Sequence, residues 1–231
     1  MTPLVGALLA VAAGAAVVDW IAVWLEGRRS LAVERVAKPL VLVALLAVAV
    51  AWPAGTGDGA AVRPWLIAAL AASLAGDVLL LPPGRFIAGL VAFLLAHLAY
   101  LVAFAQLPGT VPWFLAGVVI AGVVVATVGR VLLAAARQAG LGAPVAVYLV
   151  AICGMAIAAT RTGLPAAVIG AWLFVASDAM LAWGRFGGSS SGAPSSGTPS
   201  SGSPRGPATL RVAVLVTYHV GQLLLVVALV Q

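Results

Sequence analysis

Eight apolar runs, each close to the length that crosses a bilayer, decide what this chain can become. A spanning helix needs about 20 mostly apolar residues. Such runs fall near residues 4–25, 36–52, 65–81, 86–106, 112–134, 144–160, 165–183 and 209–230. Of the 231 residues, 64% are hydrophobic and 8% charged, with a mean hydropathy of +1.18, well beyond what a water-soluble core of this size requires. The expectation is an all-α, polytopic integral membrane protein with eight transmembrane helices. The first run has small residues around Ala12 to Ala16 that resemble a signal-cleavage site. It lacks a basic leader and is too long for a signal core, so it is expected to stay as a helix.

The placement of charge supports an even number of crossings. Arg28, Arg29, Arg35, Lys38, Arg85, Arg130, Arg137, Arg185, Arg205 and Arg211, ten of the twelve basic residues, fall on the side reached after the first, third, fifth and seventh runs. Arg63 and Arg161 fall on the other. By the positive-inside rule the first side is cytoplasmic and both termini face outward, in what is expected to be a bacterial plasma membrane. Residues 187–207, a Gly/Ser/Pro tract, read as a flexible cytoplasmic linker before the last run. The single cysteine, Cys153, excludes a disulfide within the chain. No basic cluster is interleaved with polar or aromatic residues, which argues against nucleic acid, and nothing calls for an obligate protein partner.

Against this apolar background the ionisable residues carry the information. An acid inside a spanning helix costs roughly 2.5 to 3.5 kcal/mol on insertion scales, so its first reading is functional. Asp77 sits in SLAGDVLLLPPGRF (73–86), and about a hundred residues further on Asp178 sits in ASDAMLAWGRF (176–186), with Gly84-Arg85-Phe86 echoed by Gly184-Arg185-Phe186. The fourth run carries His97 and Tyr100, and the eighth carries Tyr218, His219 and Gln222. Four helices per half is even, so the expectation is two parallel four-helix repeats that build one site between them.

Position along the helices places Asp77, Asp178, Lys38 and Tyr148 in one layer near the cytoplasmic boundary, with His97 and His219 about two turns deeper. Lys38, the only lysine, reads either as a snorkelling topology charge or as the partner of a phosphate or carboxylate. Pro39 fits the first turn of the second helix. The aspartates read as a packing pair or as functional acids, with Ser73 one turn before Asp77 and able to hydrogen-bond it. The histidines read as interhelical hydrogen-bonding groups or as part of a site. Their depth mismatch with the aspartates, and the lack of a close-spaced ligand pair, argue against metal. Asp19 is expected to pair with a nearby arginine.

Taken together, Lys38-Pro39-Leu40, Gly76-Asp77-x-x-Leu80, Arg85-Phe86-x-x-Gly89, Phe93-x-x-x-His97-x-x-Tyr100, Tyr148 with Met155, Ser177-Asp178-x-x-Leu181 and the Tyr218-to-Gln222 stretch resemble the YhhN family of lysoplasmalogenases. The resemblance covers the second through eighth helices. It implies an enzyme that hydrolyses the vinyl ether bond of lysoplasmalogens to a fatty aldehyde and a glycerophosphoethanolamine or glycerophosphocholine, without a cofactor. The family's polar positions fall on Lys38, Asp77, His97, Tyr100, Tyr148, Asp178 and Gln222.

Vinyl ethers hydrolyse by protonation at carbon, so one carboxylic acid and one carboxylate are needed, in the way glycosidases divide those roles. Asp77 and Asp178 are the expected catalytic pair, which of them is the acid being left open. His219 is expected beside the substrate, and Lys38, with Arg85 or Arg185, near its phosphate. A proton-coupled transporter is the alternative from another class. An intramembrane aspartyl protease is disfavoured, because its pattern needs glycine where Leu74 stands and a tyrosine where Ser177 stands.

Overall fold

Apolar stretches in a bilayer have to satisfy their own backbone polar groups, and helices do so within one segment. The structure, a computed structural model, describes residues 2–25, 28–53, 58–186 and 207–230. Among them run eight helices: α1 (Pro3–Trp24), α2 (Arg28–Ala51), α3 (Asp58–Leu80), α4 (Phe86–Ala105), α5 (Val111–Gln138), α6 (Gly142–Arg161), α7 (Pro165–Phe186) and α8 (Ala208–Val230). Seven are long and apolar enough to cross a membrane. The exception is α2, where Glu34, Arg35 and Lys38 intrude on the apolar stretch. The expected linker, apart from Pro207, lies outside the described residues.

Two helices depart from the hydropathy reading. Because α2 starts at Arg28, Pro39 lies inside the helix rather than in its first turn, and the carbonyl of Arg35 loses its amide partner. Helix α5 contains one wide π turn at Val125–Gly129, a local bulge of a kind frequent at functional sites. Between α3 and α4, Gly84 takes φ +84°, which closes the Pro82-Pro83-Gly84 turn.

Hairpins α1–α2, α3–α4 and α7–α8 make the most extensive pairings, and α8, the most buried span, also packs on α1, α2 and α3. Small residues let the helices approach. A Cβ added at Gly221 would stand 3.0 Å from the Gly170 carbonyl oxygen, and one at Gly170 equally close to that of Gly221. Gly221→Val is therefore expected to destabilise the protein by about 1–3 kcal/mol through overpacking against backbone that has no room to yield, read as a lowered unfolding midpoint in detergent.

The two basic residues at the sparsely charged end cap helices. Arg63 donates to the carbonyls of Ala49 (3.0 Å) and Val50 at the end of α2. Arg161 donates to those of Phe104 (3.0 Å) and Leu107 (2.5 Å) at the end of α4. Both occupy the negative end of a helix dipole.

Candidate active site: two carboxylates in adjoining cavities

Asp77 and Asp178 lie near the C-terminal ends of α3 and α7, at the same end of the bundle as Lys38 on α2 and Arg211 on α8. Asp77 is completely buried. Lys38 Nζ stands 3.0 Å from its Oδ1, and the Tyr218 hydroxyl donates to its Oδ2 at 2.9 Å. Asp178 is slightly exposed, at 15% of its side chain, and its Oδ2 accepts from the Tyr148 hydroxyl and meets His97 Nε2 at 3.2 Å. His97 Nε2 also lies 2.9 Å from the Tyr148 hydroxyl. Each acid is thus held by a side chain from the helix just before its own in sequence order and by one from the fourth or eighth helix. Lys38 (α2) and Tyr218 (α8) serve Asp77; Tyr148 (α6) and His97 (α4) serve Asp178.

The contact between His97 and Asp178 corrects the depth assigned from sequence. Counting residues from helix ends places the histidine about two turns below the acids, but the two side chains reach each other at 3.2 Å. No third His, Cys, Asp or Glu joins them among the described residues.

The acids face two adjoining cavities. One is lined by Lys38, Asp77, Glu34 and Arg211 among apolar side chains. The other is apolar, with Tyr148 and Asp178 its polar residues, and is walled by Phe86, Leu90 and Phe93, by Val124 and the bulge residues Val128 and Gly129, and by Ile152 and Phe186. Leu80 and Leu181 line both. Behind this partition the Phe174 ring stands between His97 (4.8 Å between centroids) and Tyr218 (5.3 Å), so one aromatic side chain buttresses a partner of each acid.

Other candidates from the sequence are elsewhere. Gln222 accepts from the Tyr100 hydroxyl at 2.5 Å and donates to Ser73 Oγ at 3.0 Å, an internal brace of α3, α4 and α8 that lines neither cavity. Ser73 therefore serves Gln222 and not Asp77. Arg85 and Arg185 are exposed, and Arg185 lies over the Phe86 ring at 4.8 Å. His219 sits behind Tyr218, its Nδ1 accepting from Trp20 Nε1 at 3.1 Å. Asp19 lies 4.0 Å from His219 Nε2 and forms no contact ion pair with an arginine among the described residues. Missed from sequence were Tyr218 as a ligand of Asp77 and Arg211 with Glu34, paired at 3.2 Å, as cavity walls. The signal for Arg211 was its place on the first turn of α8, at the level of Lys38.

Residues 33–229, nearly the whole chain, match the model of the YhhN family. The chain belongs to the YhhN family. Two curated relatives, each named lysoplasmalogenase, come from Mycobacterium bovis and Mycobacterium tuberculosis. Each is 36% identical to this YhhN protein over 157 residues, 64% of its chain, and the match spans 58% of the relative's length. No solved structure matches this YhhN protein significantly.

Proposed function

We propose that this protein is a lysoplasmalogenase-type hydrolase, which cleaves the vinyl ether bond of a single-chain alkenyl glycerophospholipid to a fatty aldehyde and the glycerophospho head group. The observation that carries this reading is the pair of cavities. One carries two cations, Lys38 and Arg211, beside two acids, the other is apolar, and an aspartate borders each. A lysolipid has the same division, with a phosphate at one end, an alkenyl chain at the other and the ether oxygen between. In this reading the head group lies by Lys38 and Arg211, the chain lies against α5 and α6, and the vinyl ether passes Leu80 and Leu181. The names of the relatives point to the same substrate class.

The acid roles follow from the neighbours. Asp178, beside the apolar cavity, gives its proton to the vinyl carbon β to oxygen, forming an oxocarbenium ion. Asp77, with Lys38 as counter-charge, accepts a proton from the water that adds to the carbon α to oxygen. The hemiacetal then collapses. Asp77 returns its proton to the departing glycerol oxygen, and the hemiacetal hydroxyl passes its own to Asp178, so both acids regain their starting states. No proton is consumed, and one water is.

The cross-paired partners of the two acids favour the parallel-repeat arrangement, since α2 corresponds to α6, α3 to α7 and α4 to α8. The basic residues at the site's end favour a cytoplasmic opening.

The test is aldehyde release by detergent-purified protein from lysoplasmenylethanolamine, beside the corresponding ester lysolipid. Aldehyde from the vinyl ether, with the ester untouched, is the expected result. No turnover by a folded, monodisperse sample would remove the hydrolase reading and make transport in sealed vesicles the next experiment.

A further inference from the structure

One buried acid takes no part in this chemistry. Asp19, on α1, is completely buried, and neither of its oxygens has a hydrogen-bond partner among the described residues. Its contact with His219 Nε2, at 4.0 Å, exceeds hydrogen-bonding distance. Because Nδ1 of His219 accepts from Trp20 Nε1, the neutral ring carries its proton on Nε2, facing Asp19. A second proton on that ring would have to displace the Trp20 bond. His219 is therefore a fixed neutral donor, and no cation among the described residues is in contact with Asp19.

A carboxylate in that position needs a compensating charge within reach. The charged groups that act on it are Lys38 and Glu34 from α2, Asp77 from α3 and Arg211 from α8, and Lys38 acts most strongly. In turn Lys38 feels Asp77 first and Asp19 second. Two rings lie between the ammonium and Asp19: Lys38 Nζ is 5.8 Å from the Tyr218 centroid, which is 5.4 Å from that of His219, the ring that faces Asp19. An ammonium has three donors on a flexible four-carbon stem.

We propose that Asp19 is the alternate counter-ion of Lys38, which pairs with Asp77 while that group is a carboxylate and turns to Asp19 once Asp77 has taken the proton of the attacking water. The inference rests on the catalytic reading above. Lys38 keeps its own charge throughout; only its partner changes, and the change reverses when Asp77 gives the proton to the glycerol oxygen. Asp19 is then a positioning residue that touches no substrate and acts through Lys38. It prevents the ammonium from being stranded in a low-dielectric site when Asp77 becomes neutral.

A double-mutant cycle on thermal unfolding in detergent tests this without any substrate. In Asp19→Asn and in Asp77→Asn, Lys38 retains one of these two carboxylates; in the double variant it has neither, and only Glu34, already paired with Arg211, remains near it. The loss of midpoint in the double variant is expected to exceed the sum of the single losses by about 5 °C or more, and adding Lys38→Met is expected to recover most of the excess. Additive losses, or an excess that Lys38→Met leaves in place, would overturn the proposal.

Failure of the hydrolase reading shows separately, as wild-type protein that releases no aldehyde. On active protein, Asp19→Asn is expected to lower kcat about tenfold with KM little changed, and Asp19→Glu to restore most of it. Wild-type kcat in Asp19→Asn would also overturn the role.

Discussion

Asp77→Asn is expected to lower kcat for aldehyde release by about a thousandfold, within the range that a positioned acid or base supplies, with the protein still folded and monodisperse. The substitution preserves shape. An amide oxygen in the place of Oδ2 still accepts from the Tyr218 hydroxyl, now 2.9 Å away, so the packing of α3 on α8 survives. What disappears, in the proposed mechanism, is the ability to take a proton from water beside the oxocarbenium carbon. In the proposed binding mode the lipid's phosphate and chain touch other residues, so KM should change little and the defect should lie in kcat, the pattern of an interaction made only in the transition state. Steady-state kinetics with the vinyl ether substrate measures both. Undiminished turnover would remove Asp77 from the mechanism.

Lys38→Met is expected to cost more in stability than any other single change in the site. The methionine fills similar volume, but Asp77, completely buried, loses the ammonium at 3.0 Å. Removing one member of a buried ion pair costs about 3–5 kcal/mol, because the other charge stays behind without compensation. Under the counter-ion proposal above, Asp19 loses its alternate partner in the same substitution. Thermal unfolding in detergent should show a large fall in midpoint, together with loss of turnover. Adding Asp77→Asn to Lys38→Met should restore much of the stability and none of the activity. The sequence expectation for this lysine was a phosphate contact, whose loss raises KM. The ion pair with Asp77 moves the expected defect into stability and kcat. If Lys38→Met is as stable as the wild type, the pair is not the charge-balancing contact that its geometry describes.

The helical architecture was legible because the bilayer sets the length of a spanning segment, and eight apolar runs of that length leave few alternatives. Hydropathy registers only apolar stretches, so it was blind to the first turns of α2, which run through Arg35 and Glu34. It was equally blind to the π turn in α5, which no residue in VATVG (125–129) announces.

The candidate site was legible as a set of residue types out of place in a membrane. Its internal pairing was not. Counting from helix ends gives depth along one axis, whereas contact depends on how helices cross and how far a side chain reaches. That is why His97 meets Asp178, why Ser73 serves Gln222 and not the acid one turn away on its own helix, and why Asp19 faces a histidine in place of the expected arginine. Arg211 was visible only as a topology charge, since its role as a cavity wall depends on α8 lying against α2 and α3.

The pairing of Asp77 with Tyr218 and of Asp178 with His97 bears on ancestry. Each acid takes one partner from α1–α4 and one from α5–α8, so neither set of four helices holds a complete acid with its companions. An ancestor made of one such set could have assembled the arrangement only as two copies side by side. Under the parallel-repeat arrangement proposed above, joining two such copies in one chain would free the two acids to diverge, one keeping a lysine and the other a histidine.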